Sequence, residues 1–156
     1  MPKRDYYNDP GAPVANSIVV AVAAFVQDDA GRVLMIRRTD NDQYAIPGGA
    51  QDVGEAVAQA AVRETAEETG IDIAITGLIG VYSDPGHVIA YDDGEVRQEF
   101  SLCFRARPVG GTSRTSSESK EVHWIAPADI AALNIGQANR LRIEHGLQQR
   151  VEPYIG

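Results

Sequence analysis

GAQDVGEAVAQAAVRETAEETGI, running from Gly49 to Ile71, is the stretch whose reading decides the fold. Gly49 and Gly54 open it as a loop, and the alanines and glutamates that follow are good helix formers. A helix is predicted from about Glu55 to Thr69, with Gly70 as its stop because glycine takes the left-handed conformation at low cost. Glu64, Glu67 and Glu68 then stand at i, i+3 and i+4, which are surface neighbours on a helix. At ~100° per residue the three carboxylates share a sector about 100° wide. Like charges so close repel one another, and a bound divalent cation would reverse the sign of that local interaction. Ligands that are all oxygens suit Mg²⁺ or Mn²⁺ rather than zinc. Arg63, four residues before Glu67, is placed to hold the cluster together. The sector away from the carboxylates carries Ala58, Val62, Thr65, Ala66 and Thr69, small enough for the helix to lie close against a sheet. Ala60 and Ala61 flank the carboxylates and are expected to leave room for hydrated metal and phosphate.

Acidic helix faces are ordinarily solvated and bind nothing. The fixed glycines, Glu55 and Arg63 separate this one from that background. The stretch resembles the Nudix box, G-x5-E-x7-R-E-U-x-E-E-x-G-U with U a bulky apolar residue, the signature of hydrolases that cut diphosphates linked to a second moiety. Gly49, Glu55, Arg63, Glu64, Glu67, Glu68, Gly70 and Ile71 match in register, and Thr65 departs from the pattern at an aliphatic position. Thr65 points away from the carboxylates, where its hydroxyl can bond back along the helix. The resemblance implies that Glu67 and Glu68 ligate metal, that Glu64 ligates or acts as base, and that Gly48 lends a carbonyl. It implies a structural pairing role for Glu55. It also implies a further carboxylate late in the chain, for which Glu118, just before a strand anchored by Trp124, is favoured over Glu121.

Outside this stretch the assignments are thinner. Arg37 and Arg38 alternate along a strand, so at most one faces a cleft, and Arg38 is the candidate phosphate contact. Tyr44 stands where the family often has an aromatic residue and either stacks on a base or packs on the sheet. Pro85, in the Ser83-Asp84-Pro85-Gly86 turn, lies near the position of a Ser-Pro-Gly-like turn of ADP-ribose pyrophosphatases and is the third substrate-binding candidate. His87, His123 and His145 show no metal-like spacing and read as surface or packing residues.

The chain has 156 residues, 44% hydrophobic and 23% charged, a composition normal for one globular domain. Its formal charge of -8 argues against a general DNA- or RNA-binding surface, though not against a polyphosphate held by metal and local arginines. The lone cysteine, Cys103, excludes an internal disulfide and reads as a packed thiol. The N-terminus lacks a signal-peptide apolar region, and the apolar run from Ile18 to Val26 is too short to span a bilayer, so a cytoplasmic protein with no membrane partner is expected.

Residues 1–16, with Pro2, Pro10, Gly11 and Pro13, read as an N-terminal arm ahead of a domain spanning 17–156. Strands are expected at Ser17–Gln27, buried on both faces, and at Arg32–Arg38, joined by a hairpin turn at Asp28–Gly31. Further strands are expected at Ile71–Ser83, broken by Gly77 and Gly80, at His87–Tyr91, at Glu95–Arg107 and at Glu121–Ile125. Val109–Lys120 reads as a mobile loop. A short helix is expected from Ala126, and another from about Gly136 to Gln149, with Leu141, Ile143 and Leu147 facing the core. The order of elements predicts an α/β fold, a mixed sheet with helices on both sides. The Nudix fold, an α/β/α sandwich, is of this type. The resemblance implies a Mg²⁺- or Mn²⁺-dependent hydrolase of a nucleoside diphosphate derivative, of the ADP-ribose or nucleotide-sugar type. The alternatives are a nucleoside triphosphate pyrophosphohydrolase acting on species such as 8-oxo-dGTP, and a non-catalytic nucleotide sensor. Nudix proteins of the nucleotide-sugar type are often homodimers, and the arm is a candidate for reaching a second subunit.

Overall fold

The computed structural model describes residues 3–156. Its strands are β1 (Lys3–Tyr7), β2 (Ser17–Ile18), β3 (Ala21–Val26), β4 (Val33–Arg38), β5 (Tyr44–Ala45) and β6 (Gly48–Ala50), then β7 (Ile71–Tyr82), β8 (His87–Tyr91), β9 (Val96–Gln98), β10 (Ser101–Gly111), β11 (Ser119–Ile125) and β12 (Tyr154–Ile155). The helices are α1 (Val57–Thr69), α2 (Pro127–Ile130) and α3 (Gln137–Gln148). The strands form a five-stranded sheet ordered β12-β7-β10-β3-β6, a three-stranded sheet ordered β11-β4-β5 and a four-stranded sheet ordered β1-β8-β9-β2. The five-stranded sheet is mixed: β10 runs parallel to β3 and antiparallel to β7.

Alternation along β3 explains the layering. Val22, Ala24 and Val26 belong to clusters that contain Ala60, Ala61 and, at their edge, Val62 of α1. Ala23 and Phe25 belong to the cluster that contains Ile143 of α3. Successive side chains point to opposite faces of a strand, so α1 and α3 lie on opposite sides of the sheet. This is the expected mixed α/β sandwich. Among the described residues no helix is long and apolar enough to cross a membrane.

Several local expectations give way to tertiary context. The Asp28–Gly31 turn forms, with the Asp28 carboxylate accepting from the backbone of Ala30 and Arg32 and Gly31 at φ 79°. It does not make a hairpin ladder: after the single Gln27–Val33 bridge, β3 and β4 part into different sheets. Both edges of β3 are taken, by β10 and β6, so β4 has no ladder to join. The alternating run Glu95–Arg107 divides at Glu99–Phe100, where the chain crosses from the four-stranded to the five-stranded sheet. Gly77 and Gly80 do not end β7. The register against β10 slips beside each of them, accommodating Thr76 and Ile79 as extra residues.

Lys3–Tyr7 is a strand on β8, not part of an irregular arm. Pro10, Gly11 and Pro13 follow this segment without interrupting it; Pro2 lies outside the described residues. The expected mobile loop also shrinks. β10 runs on to Gly111 and β11 begins at Ser119. The connection is tied to the end of α1, where Arg114 N–H donates to the Thr69 carbonyl at 2.9 Å and the buried Ser119 hydroxyl donates to that of Glu68. Carbonyls in the last turn of a helix lack intrahelical donors, and this segment supplies them.

α1 starts two residues later than expected, because the Glu55 carboxylate remains in the loop, accepting from Asp52 N–H at 2.9 Å. Thr65 is buried and its hydroxyl donates to the Ala61 carbonyl at 2.8 Å, while Gly70 ends the helix at φ 76°. In α3 the inward residues are Arg142, Ile143, His145 and Gly146, whereas Leu141 and Leu147 are 37% and 36% exposed. The sheet beneath offers polar groups: Tyr82 hydroxyl pairs with His145 Nδ1 at 2.8 Å and Glu99 with Arg142. Gly146 lies flat on Phe25, where a Cβ would come within 2.8 Å of the ring.

Candidate active site

α1 packs beside β6, and this contact builds the site. Glu64 lies so close over Gly49 that a Cβ there would fall 2.4–2.6 Å from its carboxyl atoms. Glu68 is 3% exposed and lies against the Gly48 backbone. Its second oxygen, Oε2, is buried with no hydrogen-bond partner among the described residues. Burial, with the Glu64 carboxylate next to it, pushes the Glu68 acid up to about 9. Burial raises Glu64 too, against the opposing pull of Arg63.

Arg63 is the hub of the box. Its Nε and Nη2 grip both oxygens of Glu55 at 2.6 and 2.9 Å, Nη2 also donates to the Ala50 carbonyl, and Nη1 reaches Glu64 at 2.9 Å and Glu67 at 3.3 Å. The guanidinium fork thus fastens the loop to the helix and fixes the direction of Glu64. Glu67 stands at the rim, its side chain 59% exposed. Ala60 and Ala61 do not border open space as expected. They are buried against Val22 and Phe104, since the helix must sit close enough to the sheet to bring Glu64 and Glu68 over Gly48 and Gly49.

A cavity of about 580 Å³ borders the site, with Arg38, Gly48, Gly49 and Glu118 in its walls, and the Glu64 carboxylate adjoins it at Gly49. Glu118 is close enough that its charge helps to raise both Glu64 and Glu68. Glu121 is turned elsewhere, bonded to Arg37 at 2.7 Å and His123 at 2.9 Å. Arg38, held by Asp40 at 2.8 and 2.7 Å, is the arginine of the pair that borders the cavity. Tyr44 is not brought to it. Its ring lies 5.7 Å from the Arg37 guanidinium and 6.2 Å from His123, a packing position. Pro85 is exposed in its turn and does not border the cavity.

Of the histidines read as surface or packing residues, two are buried, His87 beside Asp5 and Glu99, and His145 beneath Tyr82. The cavity also has a wall that sequence reasoning missed: Lys3, Asp5 and Tyr7 of β1, with His87, Glu99 and Arg142. The period-two spacing of Lys3, Asp5 and Tyr7 was the available signal.

Among the described residues no three acidic or histidine side chains close into a compact metal cage. The oxygen donors gather instead where α1 meets β6. They fit a divalent cation all the same: a buried carboxylate oxygen without a donor, beside a second carboxylate, is a site short of positive charge.

A NUDIX domain family model matches residues 18–145. A MutT-like protein of Streptomyces ambofaciens is 38% identical over 112 residues, which cover 72% of this chain and 66% of that protein. An ADP-ribose pyrophosphatase of Methanocaldococcus jannaschii is 34% identical over 113 residues, 67% of this chain and 60% of that protein. A putative 8-oxo-dGTP diphosphatase of Bacillus subtilis is 29% identical over 115 residues, 74% and 71% of the two chains. The chain thus spans a little under two thirds of the length of the first two relatives. A crystal structure of a NUDIX hydrolase from Nitrosomonas europaea shares the fold with TM-score 0.75 at 22% identity, over 90% of this chain and 80% of that one.

Proposed function

Because the chain belongs to the Nudix family, we propose that it is a divalent-metal-dependent hydrolase of nucleoside diphosphate derivatives, of the ADP-ribose or nucleotide-sugar type. The observation that carries the reading is the buried, donor-free oxygen of Glu68, beside Glu64 and adjoining, through Gly48 and Gly49, a cavity lined by Arg38 and Glu118. Glu64, Glu67, Glu68 and Glu118 with the Gly48 carbonyl would hold Mg²⁺ or Mn²⁺. When bound, the ion supplies positive charge to the phosphoryl oxygens and acidifies a coordinated water. Glu64 takes the proton of the attacking water. Arg63 keeps Glu64 aimed, and Arg38 anchors the diphosphate at the price of loosening its grip on Asp40. Pro85 and Tyr44 have no part in this scheme.

The substrate type is favoured by the size of the cavity beyond the carboxylates and by the ADP-ribose pyrophosphatase relative; the relative named for 8-oxo-dGTP supports a triphosphate reading on identity alone. The test is phosphate and pyrophosphate release with Mg²⁺ or Mn²⁺ from ADP-ribose, nucleoside diphosphate sugars and nucleoside triphosphates including 8-oxo-dGTP, with a phosphatase added to reveal monophosphates. Preference for the first two groups is expected. Pyrophosphate from a triphosphate as the best reaction would replace the reading, and no turnover at all would turn it into nucleotide sensing.

Position also ranks the two late carboxylates. Glu118→Ala is expected to lower kcat by about 10-fold to 100-fold, and Glu121→Ala to change it less than about threefold. The reverse order would move the role to Glu121 and with it the whole orientation of β11.

A further inference from the structure

The wall formed by β1, β8 and β9 is built around charges that the box chemistry does not use. Lys3, Asp5 and Tyr7 border the cavity, whereas Arg4 stacks on Tyr6 at 4.9 Å on the other face of the strand. From this wall a line of alternating charges runs inward. Asp5 Oδ1 lies 2.8 Å from His87 Nε2, His87 Nδ1 lies 3.2 Å from Glu99 Oε1, and Glu99 accepts from the Arg142 guanidinium. All four border the cavity, but His87, Glu99 and Arg142 are buried, and Asp5, with its side chain 28% exposed, is the most open of them.

This arrangement fixes the state and the direction of Asp5. Burial by itself would raise its acid; the His87 hydrogen bond and the Lys3 charge outweigh burial and hold it below the ordinary value. Asp5 is therefore an oriented carboxylate. Oδ1 is committed to His87, and Oδ2 has no hydrogen-bond partner among the described residues. Arg38 lines the same cavity as Glu118, Asp5 and Lys3, and its charge is felt by Glu68 and Glu118 as well as by Asp5 and Lys3. A diphosphate seated on Arg38 with its reacting phosphorus at the box carboxylates would have Asp5 in the same cavity, available to its far substituent.

We propose that Asp5 is a specificity-determining residue that accepts hydrogen bonds from the hydroxyls of a sugar on the far side of the diphosphate. The inference rests on the reading of the cavity as a nucleoside diphosphate site. A carboxylate only accepts, and adjacent sugar hydroxyls are paired donors that match it. A stacked base is less well served here, because the aromatic rings of the wall are already faced: Tyr7 stacks on His87 at 4.4 Å and Tyr91 lies under Arg97 at 4.4 Å.

The experiment compares the binding of ADP-ribose with that of ADP, by calorimetry with Ca²⁺ in place of Mg²⁺, for the wild type, Asp5→Asn and Asp5→Ala. Circular dichroism checks that each variant is folded. Asp5→Asn keeps an acceptor for His87 and removes the charge; Asp5→Ala covers the case in which the amide replaces the lost contact. The expected result is that the wild type prefers ADP-ribose over ADP and that the variants lose about tenfold in ADP-ribose affinity with ADP affinity unchanged. Equal losses for both ligands, no loss, or a wild type that binds ADP as tightly as ADP-ribose would overturn the sugar contact. Selective loss in binding together with no hydrolysis of ADP-ribose in Mg²⁺ or Mn²⁺ would uphold the sugar contact while removing the hydrolytic reading.

Discussion

Glu68→Gln is expected to cut turnover by about 10²-fold to 10³-fold while leaving the fold intact. The argument starts from burial. Glu68 is 3% exposed, one of its oxygens is donor-free, and its acid is pushed up to about 9, so near neutrality the metal-free protein holds it largely protonated. Glutamine has the same shape and no charge, so the metal-free variant loses little. The sign of the pH effect follows. Between the ordinary carboxylate range and about pH 9 the folded state binds a proton at Glu68 that the unfolded state does not, so the metal-free wild type loses stability as pH rises through that window. Glu68→Gln flattens that slope. A cation needs the carboxylate ionised, so binding releases this proton, and apparent Mn²⁺ affinity rises with pH toward about 9, approaching tenfold per unit when one proton is exchanged. Calorimetry at pH 6.5 and 8 in buffers of different ionisation enthalpy measures the protons released, expected to be more per ion in the wild type than in the variant. Full turnover in Glu68→Gln with unchanged metal dependence would remove Glu68 from the ligand set.

The second large effect separates two adjacent glycines. Gly48→Ala is expected to destabilise the protein by about 3 kcal/mol or more, enough to threaten folding. Its Cβ would lie 2.3 Å from the Val22 carbonyl oxygen and 3.0 Å from Ala23 Cα. Both are backbone atoms of β3, which is clamped between β10 and β6 and cannot retreat. Gly49→Ala meets something softer, the carboxyl end of the Glu64 side chain at 2.4–2.6 Å. That end can swing, so Gly49→Ala should remain folded within about 1 kcal/mol of the wild type and lose most of its activity as Glu64 leaves its place. Denaturant midpoints and kcat measured on both variants decide the matter. A Gly48→Ala protein as stable as the wild type would disprove the pairing of β6 on β3. Wild-type kcat in Gly49→Ala would show that Glu64 has no positional demand.

Much of the box was legible because its interactions are local. Glu55, Arg63, Glu64 and Glu67 sit within a few turns of one another in the chain, so helical spacing brings Arg63 to Glu67 and the short loop before the helix brings Glu55 back to it. The identity of the helix, its stop at Gly70 and the hydroxyl of Thr65 bonded back along the helix depend on the same short range. Even within the box, spacing did not tell which residues would be buried. Ala60 and Ala61 lie against the sheet rather than beside the metal site because helix position is set by β3 and β10 beneath it.

What lay out of reach was pairing across the chain. Alternation in a strand reports which side chains share a face and is silent on which strand lies alongside. That is why the Asp28–Gly31 turn read as a hairpin although β3 and β4 part, and why Glu95–Arg107 read as one strand although it changes sheets at Glu99. The same limit concealed the wall made by β1, since Lys3–Tyr7 acquires a role only by pairing with His87–Tyr91, far along the chain. By itself, then, the sequence determined the acidic helix, its arginine clamp, its glycine loop and the family to which they belong, all features written in spacings of a few residues. Tertiary structure decided which carboxylate is buried, that Glu118 rather than Glu121 borders the cavity, and that Asp5 faces it. Burial and long-range pairing depend on what the rest of the chain packs against each group, which no local spacing encodes.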